Sequence, residues 1–296
     1  MTALANLDPT QKASVLIEAL PYIQRFKDSI FVVKYGGSFM DDPDPVMRGR
    51  VATDVAFLAS VGIRVVVVHG GGKAITRALD AAEIEGEFVK GLRKTSGDAM
   101  AVVEETLNNS VNLDICNLIQ SAKGRPLAIH GNKVLQCQTL KEDSNGEPID
   151  IGFVGKVTDV HTRSIIKALE DGYTPIISPV AVDASGQAHN VNADVAAAHV
   201  AMALHARRLV YMSDVPGLME DPSKPETLIS SLPVSKVPTL KEQGIIAKGM
   251  LPKVDSAVEA LRTGVHRVHF VDGRMPHSVL LEIFTHSGIG TELVNS

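Results

Sequence analysis

Short apolar runs recur along the chain at residues 31–34, 63–69, 126–130, 174–179, 208–213 and 268–271. The four valines at 65–68 leave no polar face, as expected of a strand covered on both sides. Between these runs, apolar positions repeat at three- and four-residue intervals. They predict helices over 46–60, 74–82, 98–121, 162–171, 194–205 and 252–262. Gly62 and Gly172 fall where two of these helices should end. Strands alternating with helices predict an α/β fold with an open, mainly parallel sheet sandwiched by helices. Two alternating stretches, 134–139 and 151–157, flank a polar turn at 141–148 with Asn145-Gly146 at its tip, which reads as an inserted β-hairpin.

The N-terminal 28 residues stand apart. Asp8 caps a helix with Pro9 in its first turn, and Leu16, Ile17, Leu20, Ile23 and Phe26 recur at helical spacing. Pro21 is expected to kink this helix, because it removes one internal hydrogen bond. Such a helix packs on its own domain or docks on another subunit. The organisation expected is therefore a helix over 1–28 followed by one α/β unit over 29–296, with two lobes, 29–185 and 186–296.

Composition narrows the class. The 296 residues carry a formal charge of −5, and no Lys/Arg cluster interleaved with aromatics offers a nucleic-acid groove. No apolar run approaches the roughly 20 residues of a membrane span, and the first residues do not read as a secretory leader, so a cytoplasmic protein is expected. Cys116 and Cys137 lie far apart, without a CxxC pattern or a paired histidine. They read as buried thiols, not a metal site.

The candidate chemistry lies where strands meet glycines. The stretch VVVVHGGGK runs from a strand into Gly70-Gly71-Gly72-Lys73. It is not a Walker loop, since Val67 stands at that motif's first glycine and Ala74 at its hydroxyl position. Nor is it a dinucleotide fingerprint: Ile75 and Lys73 occupy the positions where the two possible registers require glycine. What survives is strand, glycine turn and helix start, an arrangement that offers free N–H groups to an anion. A second such turn, Lys34-Tyr35-Gly36-Gly37-Ser38, is expected at the same carboxyl edge of the sheet. For either turn alone, tight packing of a helix on a strand is the competing explanation. Asn190, Asn192 and Asp194 crowd another helix start, where simple capping competes with ligand binding. Ser213, Asp214, Val215, Gly217 and Leu218 form a further turn after a strand. Lys253 sits in the first turn of a helix, where the dipole disfavours a cation and a phosphate would explain it.

The set KYGGS, VVVVHGGGK, GLRKT, NVNAD, SDVPG and GMLPK, in this order over nearly the whole chain, resembles the acetylglutamate kinases of the amino acid kinase family. The resemblance implies MgATP-dependent phosphorylation of the γ-carboxylate of N-acetyl-L-glutamate, the second step of arginine synthesis. It implies substrate binding by the N-terminal lobe and ATP binding by the C-terminal one. Lys34 and Lys253 correspond to two transition-state lysines, and Asp194 to the aspartate that organises them. Gly36, Gly37, Gly71 and Gly72 would donate N–H groups to the transferred phosphoryl group and the substrate. Arg93 would fork onto the α-carboxylate, with Asn190 and Asn192 on the substrate's other oxygens. The 213–218 turn with Lys248, Gly249 and Met250 would cradle ATP, and Mg2+ would be held mainly by phosphates.

The N-terminal helix and the C-terminal segment further resemble members that form homo-hexamers, trimers of dimers, inhibited by L-arginine. Leu16, Leu20, Ile23 and Phe26 would then dock on a neighbouring subunit. Tyr22, His269, Glu282 and Gly288 would line the arginine pocket, and a PII-type signalling protein would be a further partner of the ring. His286-Ser287 departs from the acidic pair expected there. The alternatives are another kinase on the same frame (glutamate 5-kinase, aspartokinase, carbamate kinase or UMP kinase) or a non-catalytic ligand sensor.

Overall fold

The protein is described by a computed structural model covering residues 8–37, 40, 42, 44–143, 146–247 and 249–295. Its main sheet is built from β1 (Ile30–Tyr35), β2 (Arg64–His69), β5 (Pro126–Ile129), β8 (Thr174–Ile177), β11 (Arg208–Ser213), β12 (Ser231–Pro233), β13 (Arg267–Asp272) and β14 (Thr291–Val294). Among the described residues these form eight strands in the order β12-β14-β13-β11-β1-β2-β8-β5. Every pairing is parallel except β13 with β14. A second sheet, in the order β10-β9-β6-β7, joins β6 (Leu135–Thr139), β7 (Gly155–Val160), β9 (Val180–Val182) and β10 (Ala188–Asn190). A short hairpin pairs β3 (Glu87–Val89) with β4 (Leu92–Lys94).

The helices are α1 (Pro9–Phe26), α2 (Pro45–Ser60), α3 (Gly72–Ala81), α4 (Gly97–Glu105), α5 (Asn112–Ser121), α6 (Arg163–Glu170), α7 (Ala193–Ala203), α8 (Val237–Glu242), α9 (Met250–Arg262) and α10 (Ser278–Phe284). Strand alternation sends Val32, Val66 and Val68 into a core with α6, α7 and α9. Phe31, Val33, Val65 and Val67 point the other way, into a core with α2, α5, α10 and the end of α1. Both faces of the sheet are thus covered, which is why the valine run can be uniformly apolar.

Several expectations change in detail. The single helix expected over 98–121 is divided by a π-helical turn, Thr106–Val111, between α4 and α5. The wider turn brings Leu107 against Gly71 and Asn108 into a hydrogen bond from Ser178 Oγ at 2.5 Å. Helix α1 continues through Pro21, which lies on an exposed side. Its last turn packs on its own chain: Phe26 is buried and Ile23 partly so in the α2/α5/α10 core. Phe26 is therefore not available to a neighbour, whereas Leu16, Ile17 and Leu20 remain exposed and Ile23 is half-buried. The expected hairpin is present as antiparallel β6 and β7, but it is half of the four-stranded sheet; its tip residue Asn145 lies outside the described residues. Strands β3, β4, β9, β10, β12 and β14 are only three or four residues long, too short for a periodic pattern to register.

Helix α10 is capped from another element. Asp54 of α2 accepts from the Val279 N–H and lies 2.6 Å from His277 Nδ1. Burial pushes the Asp54 carboxyl up to about 6 despite these partners. A folded-state value above the unfolded one contributes stability below pH 4 that is lost as pH rises through 6. Relative to wild type, Asp54→Asn is therefore expected to gain up to about 3 kcal/mol between pH 4 and pH 7. Urea unfolding of both proteins at the two pH values checks it.

Candidate active site

Lys34, on β1, points to the α7/α9 side of the sheet because Val32 does. There it meets Asp194 at the start of α7, with Nζ 3.0 Å from Oδ1. Lys253, in the first turn of α9, donates to the other oxygen, Oδ2, at 2.6 Å. One carboxylate thus holds two ammonium groups, although the three residues are distant in sequence. Asp194 is only 5% exposed. Burial pushes its carboxyl up, but the charges and hydrogen bonds of Lys34 and Lys253 outweigh this and hold it below the usual carboxylate range. Tyr211 supports the group from behind, donating from its hydroxyl to the Asp194 carbonyl at 3.1 Å and meeting Ser256 Oγ at 3.0 Å.

The glycine turns after β1 and β2 open beside this pair, since β1 and β2 are parallel neighbours. A Cβ on Gly36 would overlap Lys34 Nζ, so the lysine can cross the turn only where the side chain is absent. Three helices, α3, α7 and α9, begin here, at Gly72, Ala193 and Met250. Their N-terminal N–H groups and the two lysines make this edge strongly anion-attracting.

A cavity of about 450 Å³ continues from Gly71 and Gly72 to Arg93, Asn190 and Asn192. Arg93 Nη2 donates to the Gly72 carbonyl at 3.1 Å and to Thr76 Oγ1 at 2.8 Å, and its guanidinium lies 4.6 Å from the centre of the Phe88 ring. The residue lines the cavity with 8% of its surface exposed. Phe88, Leu107, Val154 and Val191 give the same cavity apolar walls. A larger cavity of about 920 Å³ lies between the β1–α2 connection and α5; it shares Gly71 with the first cavity but is not lined by Lys34, Lys253 or Asp194.

The remaining expected residues take different positions. Asn190 is half-buried in the cavity wall, with Nδ2 3.4 Å from Thr95 Oγ1. Asn192 is the cap of α7, its Oδ1 accepting from Asp194 and Val195 N–H groups, so only its amide nitrogen is left for a ligand. Ser213 ends β11 and Asp214, Val215 and Gly217 follow it at the carboxyl edge, but the Leu218 side chain is turned into the core and its N–H is held by Thr291 Oγ1. Gly249 caps α9, and Met250 begins that helix and packs on the core. Lys248 lies outside the described residues. Thr76, Phe88, Leu107 and Tyr211 were not singled out from sequence, because none belongs to a glycine, lysine or Asx cluster.

On the opposite side of the sheet, His269 of β13 and Glu282 of α10 form a buried pair, 2.7 Å from Nδ1 to Oε1. Glu282 Oε2 accepts from the N–H groups of Ile289 and Gly290. Burial pushes the Glu282 carboxyl up, but His269 and these N–H groups hold it below its ordinary value. Gly288, at φ 62°, passes so close that a Cβ there would lie 2.6 Å from Glu282 Oε2. His269 Nε2 is buried and without a partner among the described residues. Tyr22 belongs to the core that also holds Ile283 and Phe284 of α10.

A model of the amino acid kinase family matches residues 29–272. An acetylglutamate kinase from Akkermansia muciniphila is 44% identical over 96% of both chains. Another, from Geobacter sp. strain M21, is 45% identical over 96% of this chain and 98% of its own. Among solved structures, N-acetylglutamate synthase from Neisseria gonorrhoeae, complexed with coenzyme A and N-acetyl-glutamate, is similar with a TM-score of 0.82 and 25% identity; 96% of this chain is covered, but only 63% of that one. Carbamate kinase from Giardia lamblia bound to AMP-PNP shares the fold, with a TM-score of 0.61 at 15% identity over 90% of this chain and 99% of its own.

Proposed function

The chain belongs to the amino acid kinase family and is a kinase, and from that premise we propose that it phosphorylates the γ-carboxylate of N-acetyl-L-glutamate with ATP, the second step of arginine biosynthesis. The observation that carries this reading is the convergence of Lys34 and Lys253 on Asp194 beside two glycine turns and an arginine-walled cavity. A carboxylate oxygen of the substrate attacks the γ-phosphorus, the bond to the β,γ-bridging oxygen breaks, and ADP leaves. Both reactants are anionic, so the protein's work is alignment and neutralisation. Lys34 and Lys253 neutralise the phosphoryl group in transfer, and Asp194 holds their ammonium groups in place. No general base is needed, because the nucleophile is already ionised. Arg93 takes the α-carboxylate. The apolar walls formed by Phe88, Leu107, Val154 and Val191 suit the acetyl group. Magnesium would be held mainly by the ATP phosphates and would supply charge neutralisation there; Asp194, with both oxygens engaged by lysines, would not be among its ligands.

Feedback by L-arginine is part of the proposal. The buried His269–Glu282 pair, with an unpartnered ring nitrogen beside the Gly288 loop, supports a polar ligand pocket there. The exposed apolar residues Leu16, Ile17 and Leu20 support α1 as the clasp of a hexamer, a ring to which a PII-type protein would be a further partner. ADP release measured with N-acetylglutamate, glutamate, aspartate, carbamate and UMP, with and without L-arginine, tests both parts. Turnover only with N-acetylglutamate, inhibited by arginine, is expected. A chain starting at Ser29 should lose both the hexamer and the inhibition. Turnover with any other acceptor alone would overturn the assignment, and inhibition unchanged by truncation would remove α1 from the regulatory reading.

A further inference from the structure

We propose that His69 is a positioning residue that aims the Gly71 N–H into the phosphoryl-transfer site by fixing the Gly70–Gly71 peptide plane. The inference rests on the reading of the glycine turns as donors to the reacting groups. His69 ends β2 and is fully buried. By alternation with Val65 and Val67 its side chain lies on the α2/α5 side of the sheet, opposite to Lys34. There its Nδ1 is 2.7 Å from the Gly70 carbonyl oxygen, and its Nε2 is 3.3 Å from Asn112 Nδ2.

These two contacts fix the tautomer. A carbonyl oxygen only accepts, so Nδ1 must carry the proton. An amide nitrogen only donates, so Nε2 must present its lone pair. Asn112 is itself anchored, donating to the Ile176 carbonyl at 2.8 Å. Burial pushes the imidazole down to about 4, so the ring stays neutral and keeps this arrangement at neutral pH.

The consequence for Gly71 follows from peptide geometry. The described chain contains no cis bond, so the Gly70 carbonyl and the Gly71 N–H point in opposite directions across one plane. With the carbonyl drawn down to His69, the N–H points up, to the face that holds Lys34, Asp194 and Lys253. Upstream, the Gly70 N–H is committed to the Tyr35 carbonyl at 2.7 Å, so the plane starts from a fixed edge. The Gly71 N–H has no acceptor among the described residues. Without His69, a glycine–glycine peptide has little to oppose rotation of this plane, and a rotated plane would present the Gly70 oxygen to an anionic group.

The test uses the full chain with His69→Leu and His69→Asn, steady-state kinetics for both substrates, and 15N NMR of histidine-labelled protein. Losing one preorganised donor costs about 10²-fold in kcat, so His69→Leu is expected to fall by that factor with the KM for ATP within about threefold of wild type. His69→Asn, whose amide can donate to Gly70 from near the Nδ1 position, is expected to recover most of the loss. The wild-type ring should show a protonated Nδ1 and a bare Nε2 without titrating between pH 5 and 9. Unchanged kcat in His69→Leu, an asparagine no better than leucine, or the opposite tautomer would each overturn the proposal. If His69→Leu does not fold, the asparagine variant and the wild-type tautomer still decide it. Failure of the wild-type chain to phosphorylate N-acetylglutamate would instead defeat the proposed substrate, and the tautomer measurement is independent of that result.

Discussion

Lys253→Ala is expected to lower kcat by about 10²–10³-fold, the cost of losing one preorganised charge at a transferring group. Binding of ATP, measured at equilibrium, should weaken much less, since the lysine is held by Asp194 at 2.6 Å and helps most when negative charge migrates during transfer. Asp194 links this variant to another. In Asp194→Asn both lysines lose their counter-charge, so kcat should fall at least as far. The double variant Lys253→Ala/Asp194→Asn should then lose much less than the product of the single effects, because the residues act as one unit. Equal losses in kcat and in ATP affinity for Lys253→Ala would show that the lysine is a ground-state phosphate ligand, and would contradict its role in the transition state.

Arg93→Ala should raise the KM for N-acetylglutamate by about 10–10²-fold, the range for a charged hydrogen-bonded contact of roughly 1.5–3 kcal/mol. The effect on ATP should be slight. Arg93→Lys is expected to recover little, because the guanidinium serves two partners at once. Nη2 is spent on the Gly72 carbonyl and Thr76, while the residue as a whole lines the cavity. A single ammonium cannot brace the loop and grip a carboxylate together. If Arg93→Ala raised the KM for ATP instead, the cavity it lines would have to be reassigned to the nucleotide.

The positions of Lys34, Asp194 and Lys253 were legible in sequence because each stands beside a glycine turn or a helix start, whereas Arg93, on β4, was indicated only by the family resemblance of GLRKT. The two-loop cradle follows from the same signal, strand then glycines, read twice. What sequence could not show was which Asx group caps and which faces a ligand: Asn192 and Asp194 look alike in a string, and only the start of α7 separates them. The π-helical turn at Thr106–Val111 was hidden because its apolar spacing fits an ordinary helix; the wider turn answers to Gly71 and Ser178, which are remote in sequence. The role of Phe26 was misjudged for a related reason. Periodicity shows that a helix has an apolar stripe, but not where along the stripe its own core ends and an outer surface begins. For Glu282 the residues alone allowed a solvent-facing helix carboxylate and only the resemblance pointed to a pocket; the contacts that bury it come from β13 and the 288–290 loop, which periodicity does not show.

The sheet order also governs how the protein is made. Strand β1, near the start of the chain, lies between β2, which follows it, and β11, which emerges only after α7. During synthesis at about 5–20 residues per second, Lys34 is therefore exposed to solvent for many seconds before its counter-charge Asp194 leaves the ribosome. Until then β1 has one free edge, and burying Lys34 would strand an unpaired charge. The second edge of β1 is closed, and Lys34 paired, only once α7 and β11 have been made, so the two halves of the sheet complete each other late in synthesis.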